Sequence, residues 1–134
     1  MEFYQQSAVL PVYQNRVVLI TSLRNRKWII PKGLVAAGMT PRESAAQEAF
    51  QEAGLVGDVE GKKLGRYEYR KWSGICSVRV FLMQVQELLD DWEEKTLRDR
   101  RLVSPQEARE MIQNKSLRSL VGKAMKKHRL LPVG

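Results

Sequence analysis

Glu48 and Glu52 stand four residues apart in a stretch that reads as a helix, with Gln47 and Gln51 beside them. Residues at i and i+4 are neighbours on a helix surface, and two like charges there cost about 0.2–0.5 kcal/mol when nothing lies between them. A hard divalent cation reverses that sign, because Mg²⁺ and its relatives take carboxylate oxygens as ligands. Ahead of the pair runs W-I-I-P-K-G, from Trp28 to Gly33, preceded by a basic loop containing Arg24, Arg26 and Lys27. With Lys32 these set four cations before a glycine, and phosphate oxygens are their natural guest. A solvated hairpin tip is the competing reading of Arg24, Arg26 and Lys27.

The elements that must position these groups are legible locally. Thr40 is a good N-cap, Pro41 suits the first helical position, and Glu43 closes a capping box, so a helix is expected from Thr40 to Ala53. Gly54 supplies the stop. Ala45, Ala46, Ala49, Phe50 and Ala53 fall on one face, expected to pack on a sheet, and Glu48 and Glu52 are expected to reach solvent or a cleft.

These residues resemble the Nudix box, G-x5-E-x7-R-E-U-x-E-E-x-G-U with U a bulky aliphatic. Gly33 opens it, Ala49 takes the first U, and Gly54 and Leu55 close it. The resemblance implies that Glu48 and Glu52 hold catalytic Mg²⁺ or Mn²⁺, with the Gly33 backbone shaping the metal loop. It also implies that Gln51 contributes through its carbonyl or a water, and that Lys32 contacts phosphate. The P-K-G entrance is similar to the dinucleoside polyphosphate and diphosphoinositol polyphosphate branch. Three positions depart: Met39 replaces a glutamate, Gln47 the arginine, and Gln51 the first glutamate of the E-E pair. A glutamine offers one neutral carbonyl where a carboxylate offers two anionic oxygens, so weak metal binding is expected.

The remaining chain fits the same plan. Ser7 to Tyr13 and Arg16 to Ser22 read as two strands around a tight turn, with Pro11 implying an edge or irregular position. Lys63 to Tyr69 and Ile75 to Val85 read as an antiparallel pair of central strands turning at Lys71 to Gly74. Tyr67 and Tyr69 share one face, and packing is their expected role. The acidic segment Leu88 to Glu94 reads as a solvated turn around a docked Trp92, or else as a source of a general base or fourth ligand. Arg98 to Val103 reads as a last strand, with Arg101 and Leu102 where the family usually has an acidic residue and an aromatic. Ser104 and Glu107 bracket a second proline-led capping box, for a helix through about Ile112. The final helix carries Leu117, Leu120, Val121, Ala124, Met125 and His128 on one stripe. With no Cys or second His nearby, His128 reads as a boundary packing residue.

At 134 residues the chain is expected to form one domain over 1–134 without disulfides or structural metal. The single Cys76 has no partner, which implies a reducing, cytoplasmic setting. No leader or apolar run long enough to span a bilayer is read. The net charge of +8 favours anionic partners. Residues 95–134 carry 11 basic against 3 acidic side chains, but no aromatics interleave with them, so a solvated basic helix is preferred to a nucleic-acid module. The expected fold is α/β, a Nudix-like α/β/α sandwich around a mixed central sheet. The expected activity is that of a Mg²⁺-dependent pyrophosphohydrolase of low activity, cleaving a diphosphate linkage in a nucleoside or inositol polyphosphate. The second reading is a non-catalytic polyphosphate sensor using the same cleft.

Overall fold

Two long strands form the spine of the computed structural model, which describes residues 1–132. β1 (Glu2–Tyr13) and β7 (Gly74–Leu88) pair in parallel from Glu2↔Gly74 to Val12↔Gln84. Residues 6–12 of β1 are continuously buried, as expected of a strand covered on both faces. β2 (Arg16–Thr21) returns antiparallel beside β1 through Gln14 and Asn15, both at positive φ, the geometry of a two-residue hairpin turn. β3 (Trp28–Ile29) pairs with β2, and β4 (Lys32–Leu34) with β1. β5 (Leu55–Val59) and β6 (Gly65–Lys71) occupy successive stretches along one edge of β7, and β8 (Arg100–Val103) pairs with β2.

Three strand expectations are corrected. β1 begins at Glu2 and is central, so Pro11 lies in an interior strand. It is tolerated because it shares parity with Val9, whose N–H bonds the Pro31 carbonyl. The missing Pro11 donor therefore falls in the gap between the β4 and β2 pairings on that edge. Of the tyrosine-bearing pair only β7 is central; β6 is an edge strand. The last strand starts at Arg100, leaving Arg98 in the preceding loop.

α1 (Pro41–Ala53) has both capping-box bonds at Thr40 and Glu43, and ends at Gly54 with φ 63°. α2 (Pro105–Met111) repeats the device with Ser104 and Glu107, and α3 (Lys115–Leu130) is capped by Asn114. One face of the sheet packs Val9, Val18, Ile20, Phe81 and Met83 against Ala45, Ala49 and Ala53 of α1. The other packs Ala8, Leu10, Val78 and Leu82 against Ala108 of α2 and the α3 stripe. This is the α/β/α sandwich around a mixed sheet. Each fully buried Leu, Val or Met contributes about 1.5–3 kcal/mol, so Leu117, Val121 and Met125 together hold α3 in place.

The α1 face differs from expectation. Phe50, about 100° past Ala49 on the outer side, is 52% exposed. Glu52 is buried instead of reaching solvent, while Glu48 is half-buried. The buried arc thus runs from Ala53 through Ala49 and Ala45 to Glu52 and Ser44. His128 is half-buried as a boundary residue, its ring nitrogens within hydrogen-bond distance of Gln84 and Asn15.

Candidate functional site

Strand β4 brings Gly33 against α1 so closely that a Cβ there would lie 2.4 Å from Glu48 Cδ and 2.5 Å from Oε1. No other residue type fits without displacing the carboxyl. One turn on, Glu52 turns inward, and its Oε1 accepts the Lys32 backbone N–H at 3.2 Å. Arg98 Nη2 stands 3.7 Å from the same oxygen, with both side chains 8% exposed. Burial, then a hydrogen bond with the Glu48 carboxyl, pushes the Glu52 carboxyl up to about 9, against the pull of Arg98. Two carboxyls in contact, one of them holding its proton, form a site with surplus anionic capacity. Hard oxygens set against a glycine cradle suit a hard divalent cation.

Lys32 points to the opposite side of β4 from Gly33. Its Nζ lies 5.0 Å from the centre of the Tyr69 ring, and Tyr69 donates to Gln6 Oε1 at 2.6 Å. Burial lowers the Lys32 ammonium to about 8, with Glu52 opposing and Lys71 and Arg98 adding to the shift. Tyr69 is pushed up, first by burial and then by its hydrogen bond with Cys76.

The other expected cations are not gathered here. Arg24, Arg26 and Lys27 are exposed in the β2–β3 loop, and Arg26 is bonded to Asp99 at 2.6 Å and to the Leu97 carbonyl at 3.1 Å. Gln51 is half-buried, and its main-chain carbonyl accepts the Glu94 N–H at 3.1 Å. Gln47 is exposed.

The acidic segment is anchored by its tryptophan. Trp92 donates Nε1–H to the Glu52 carbonyl at 3.0 Å, packs on Gly54, and carries the Arg100 guanidinium 4.1 Å above its ring. Glu94 accepts from Arg98 Nε at 2.8 Å. Among the described residues no group of three or more His, Cys, Asp or Glu side chains is placed to hold a metal. Sequence reasoning missed Arg98, Gln6 and the role of Tyr69 beneath Lys32. A cation shortly before the last strand was the only visible sign of Arg98.

The NUDIX domain pattern matches residues 3–121. The chain is 34% identical over 101 residues to "Nudix hydrolase 4" of Arabidopsis thaliana, covering 74% of this chain and 48% of that protein. It is 33% identical over 82 residues to "Diphosphoinositol polyphosphate phosphohydrolase 3-beta" of Bos taurus, covering 60% and 49%. It spans about half the length of these curated relatives. The C. elegans Ap4A hydrolase binary complex superposes with a TM-score of 0.77, covering 96% of this chain and 99% of that one at 16% identity, a likeness of fold. Among the described residues no helix is long and apolar enough to cross a membrane. With the pattern matched over most of its length, and with Gly33, Glu48 and Glu52 assembled on the corresponding fold, the chain belongs to the Nudix family.

Proposed function

We propose that this chain hydrolyses a diphosphate linkage in a nucleoside or inositol polyphosphate, using a divalent cation held by Glu48 and Glu52. Nudix hydrolases generally use such cations. The observation that carries the reading is the contact of the Gly33 backbone with the Glu48 carboxyl, beside the inward-turned Glu52. A Mg²⁺ or Mn²⁺ bound there supplies charge to phosphoryl oxygens and lowers the pKa of a water. Glu52 is fixed through Oε1, which leaves Oε2 and the Glu48 oxygens as donors. Lys32, steadied over Tyr69, meets the charge that develops on the departing phosphate. Gln51 is a neutral flanking donor. Arg24 and Lys27, on the exposed loop, meet only the far end of a long substrate, and Arg26 must leave Asp99 to do so.

The test is phosphate release from nucleoside, dinucleoside and diphosphoinositol substrates with Mg²⁺ or Mn²⁺. Turnover that Glu52→Gln abolishes is expected; turnover indifferent to Glu52→Gln and Glu48→Gln overturns the site. Met39, Gln47 and Gln51, neutral at three box positions, favour one alternative, a sensor that binds the same ligands without turnover. Tight binding with no product over the whole panel would select it.

A further inference from the structure

Gln6, Ser7, Thr21, Ser44, Glu52 and Ser77 are the buried polar or charged side chains among the described residues. All but Ser7 have partners. Gln6 accepts from the Tyr69 hydroxyl, Thr21 Oγ1 from the Asp99 N–H, Glu52 from the Lys32 N–H and Ser77 from Arg66, while Ser44 donates to the Leu34 carbonyl. The Ser7 hydroxyl has none, although the residue is 0% exposed. An unpaired hydroxyl in the interior costs stability that an alanine there would not. Such a group calls for a reason.

The reason lies in its place in the sheet. Ser7 pairs with Gly33, and residues paired across adjacent antiparallel strands project from the same face with Cβ positions about 5 Å apart. Ser7 also shares parity with Val9, which packs against α1, so it lies on the α1 side of the sheet and not on the side where Tyr67 meets α3. The next place in that row, where a Gly33 Cβ would stand, is filled by the Glu48 carboxyl, whose Cδ would be 2.4 Å away. Ser7 is therefore the neighbouring hydroxyl beneath that carboxyl. A serine hydroxyl turns between staggered positions about Cα–Cβ, so it reaches toward an acceptor with no movement of the strand.

The two carboxyls are unequally supported. Glu52 Oε1 has the Lys32 N–H and the Arg98 guanidinium, whereas among the described residues Glu48 has only the Glu52 carboxyl. A carboxylate that ligates a cation is ordinarily held by a hydrogen bond from behind.

We propose that the Ser7 hydroxyl is the donor that orients the Glu48 carboxylate when a divalent cation occupies the site, a positioning residue left unpaired until then. The inference rests on the functional reading above and adds to it a residue of β1, outside the box.

Mn²⁺ binding read by electron paramagnetic resonance, and urea denaturation of the metal-free protein, test it on wild type, Ser7→Ala, Tyr67→Phe and Glu48→Gln. Ser7→Ala should move the two readouts in opposite senses. Its urea midpoint should rise, because the unpaired hydroxyl is gone, and its Mn²⁺ affinity should fall about 10-fold or more, as for the loss of other outer partners of metal ligands. Tyr67→Phe removes the other unpaired buried hydroxyl, on the α3 side, and should leave Mn²⁺ binding unchanged. Ser7→Ala that binds Mn²⁺ as wild type does overturns the role of Ser7 and leaves the carboxylate site standing. A lower urea midpoint for Ser7→Ala also overturns it, since the hydroxyl would then already be paired, with an internal water, in the metal-free protein. Equal weakening by Tyr67→Phe overturns it as an effect of core packing. Wild type that binds no Mn²⁺, or binds it indifferently to Glu48→Gln, overturns the inference together with the functional reading.

Discussion

The guanidinium of Arg98 and the carboxyl of Glu52 face each other in the interior, 3.7 Å apart. Arg98 is itself fixed by Glu94 and by the Thr21 carbonyl, at 2.8 and 3.0 Å. It therefore approaches Glu52 from β8's leading loop, while the box position that usually carries the arginine, Gln47, is exposed. Two effects on metal binding oppose each other. The positive charge repels a cation, whereas the fixed fork holds Oε1 and aims the remaining oxygen.

If orientation dominates, Arg98→Gln weakens Mn²⁺ binding about tenfold, the lower end of what outer-shell partners contribute, although it removes a repelling charge. Arg98→Lys falls between, keeping charge without the fork. Electron paramagnetic resonance of free Mn²⁺ reads this directly, and tighter binding by Arg98→Gln would show that charge wins. Stability should also fall by about 1–3 kcal/mol as the partners of Arg98 lose their donor.

Stability of the metal-free protein should decline between about pH 5 and 8. Glu52 binds its proton with a pKa of about 9 when folded, against 4.5 as the ordinary value. Between these values the folded chain keeps a proton that the unfolded chain has released, so the contribution is full below the lower value and fades toward the upper. Lys32 acts oppositely above 8: neutral when folded, it adds stability as pH rises toward 10.5. The two slopes therefore oppose each other between 8 and 9. The urea midpoint of wild type should fall relative to that of Glu52→Gln, which has no carboxyl to titrate, as pH rises from 5.5 to 7.5. Mn²⁺ binding near pH 7 should release about one proton, measurable by calorimetry in buffers of different ionisation enthalpy.

The box helix was legible because its signals are local: Thr40, Pro41, Glu43 and Gly54 each act within one turn. Depth was not. The Nudix spacing puts Glu48 and Glu52 on adjoining parts of the helix without saying that Glu52 turns under the sheet, or that Phe50 stays outside. The cations failed for a related reason. Arg26 looked free beside Arg24 and Lys27, but its partner Asp99 lies 73 residues away. Arg98 looked like the start of a strand, yet its partner Glu52 comes from a different element. Contacts of that range leave no periodicity in the chain.

Two glycines should separate backbone strain from packing. Gly38 sits at φ 80° with nothing within 4 Å of a would-be Cβ, whereas Gly54 sits at φ 63° with Trp92 Cδ2 at 2.8 Å. Gly38→Ala should cost about 1–2 kcal/mol, the left-handed penalty alone. Gly54→Ala should cost more, because it also displaces the tryptophan that bonds Glu52 and anchors the acidic segment. Equal losses in urea denaturation would show that Trp92 yields freely.

The last prediction concerns the eroded box. Gln51 lies half-buried beside Glu48 and Glu52, and Gln51→Glu restores an anionic oxygen pair at the edge of the site. Gln47→Arg lies one turn before position 51, so its cation would pair with that new carboxylate. Gln47 is exposed and the Gln51 backbone is already engaged with Glu94, so neither change disturbs the core. If metal occupancy limits turnover, the double variant should accelerate Mg²⁺-dependent hydrolysis at least about tenfold and bind Mn²⁺ more tightly, with an unchanged urea midpoint. Tighter metal binding with no turnover on any substrate would place the missing element outside the box helix. The obvious place is β8, where Arg101 and Leu102 stand in place of an acidic residue and an aromatic, and the sensor reading would then replace the enzyme.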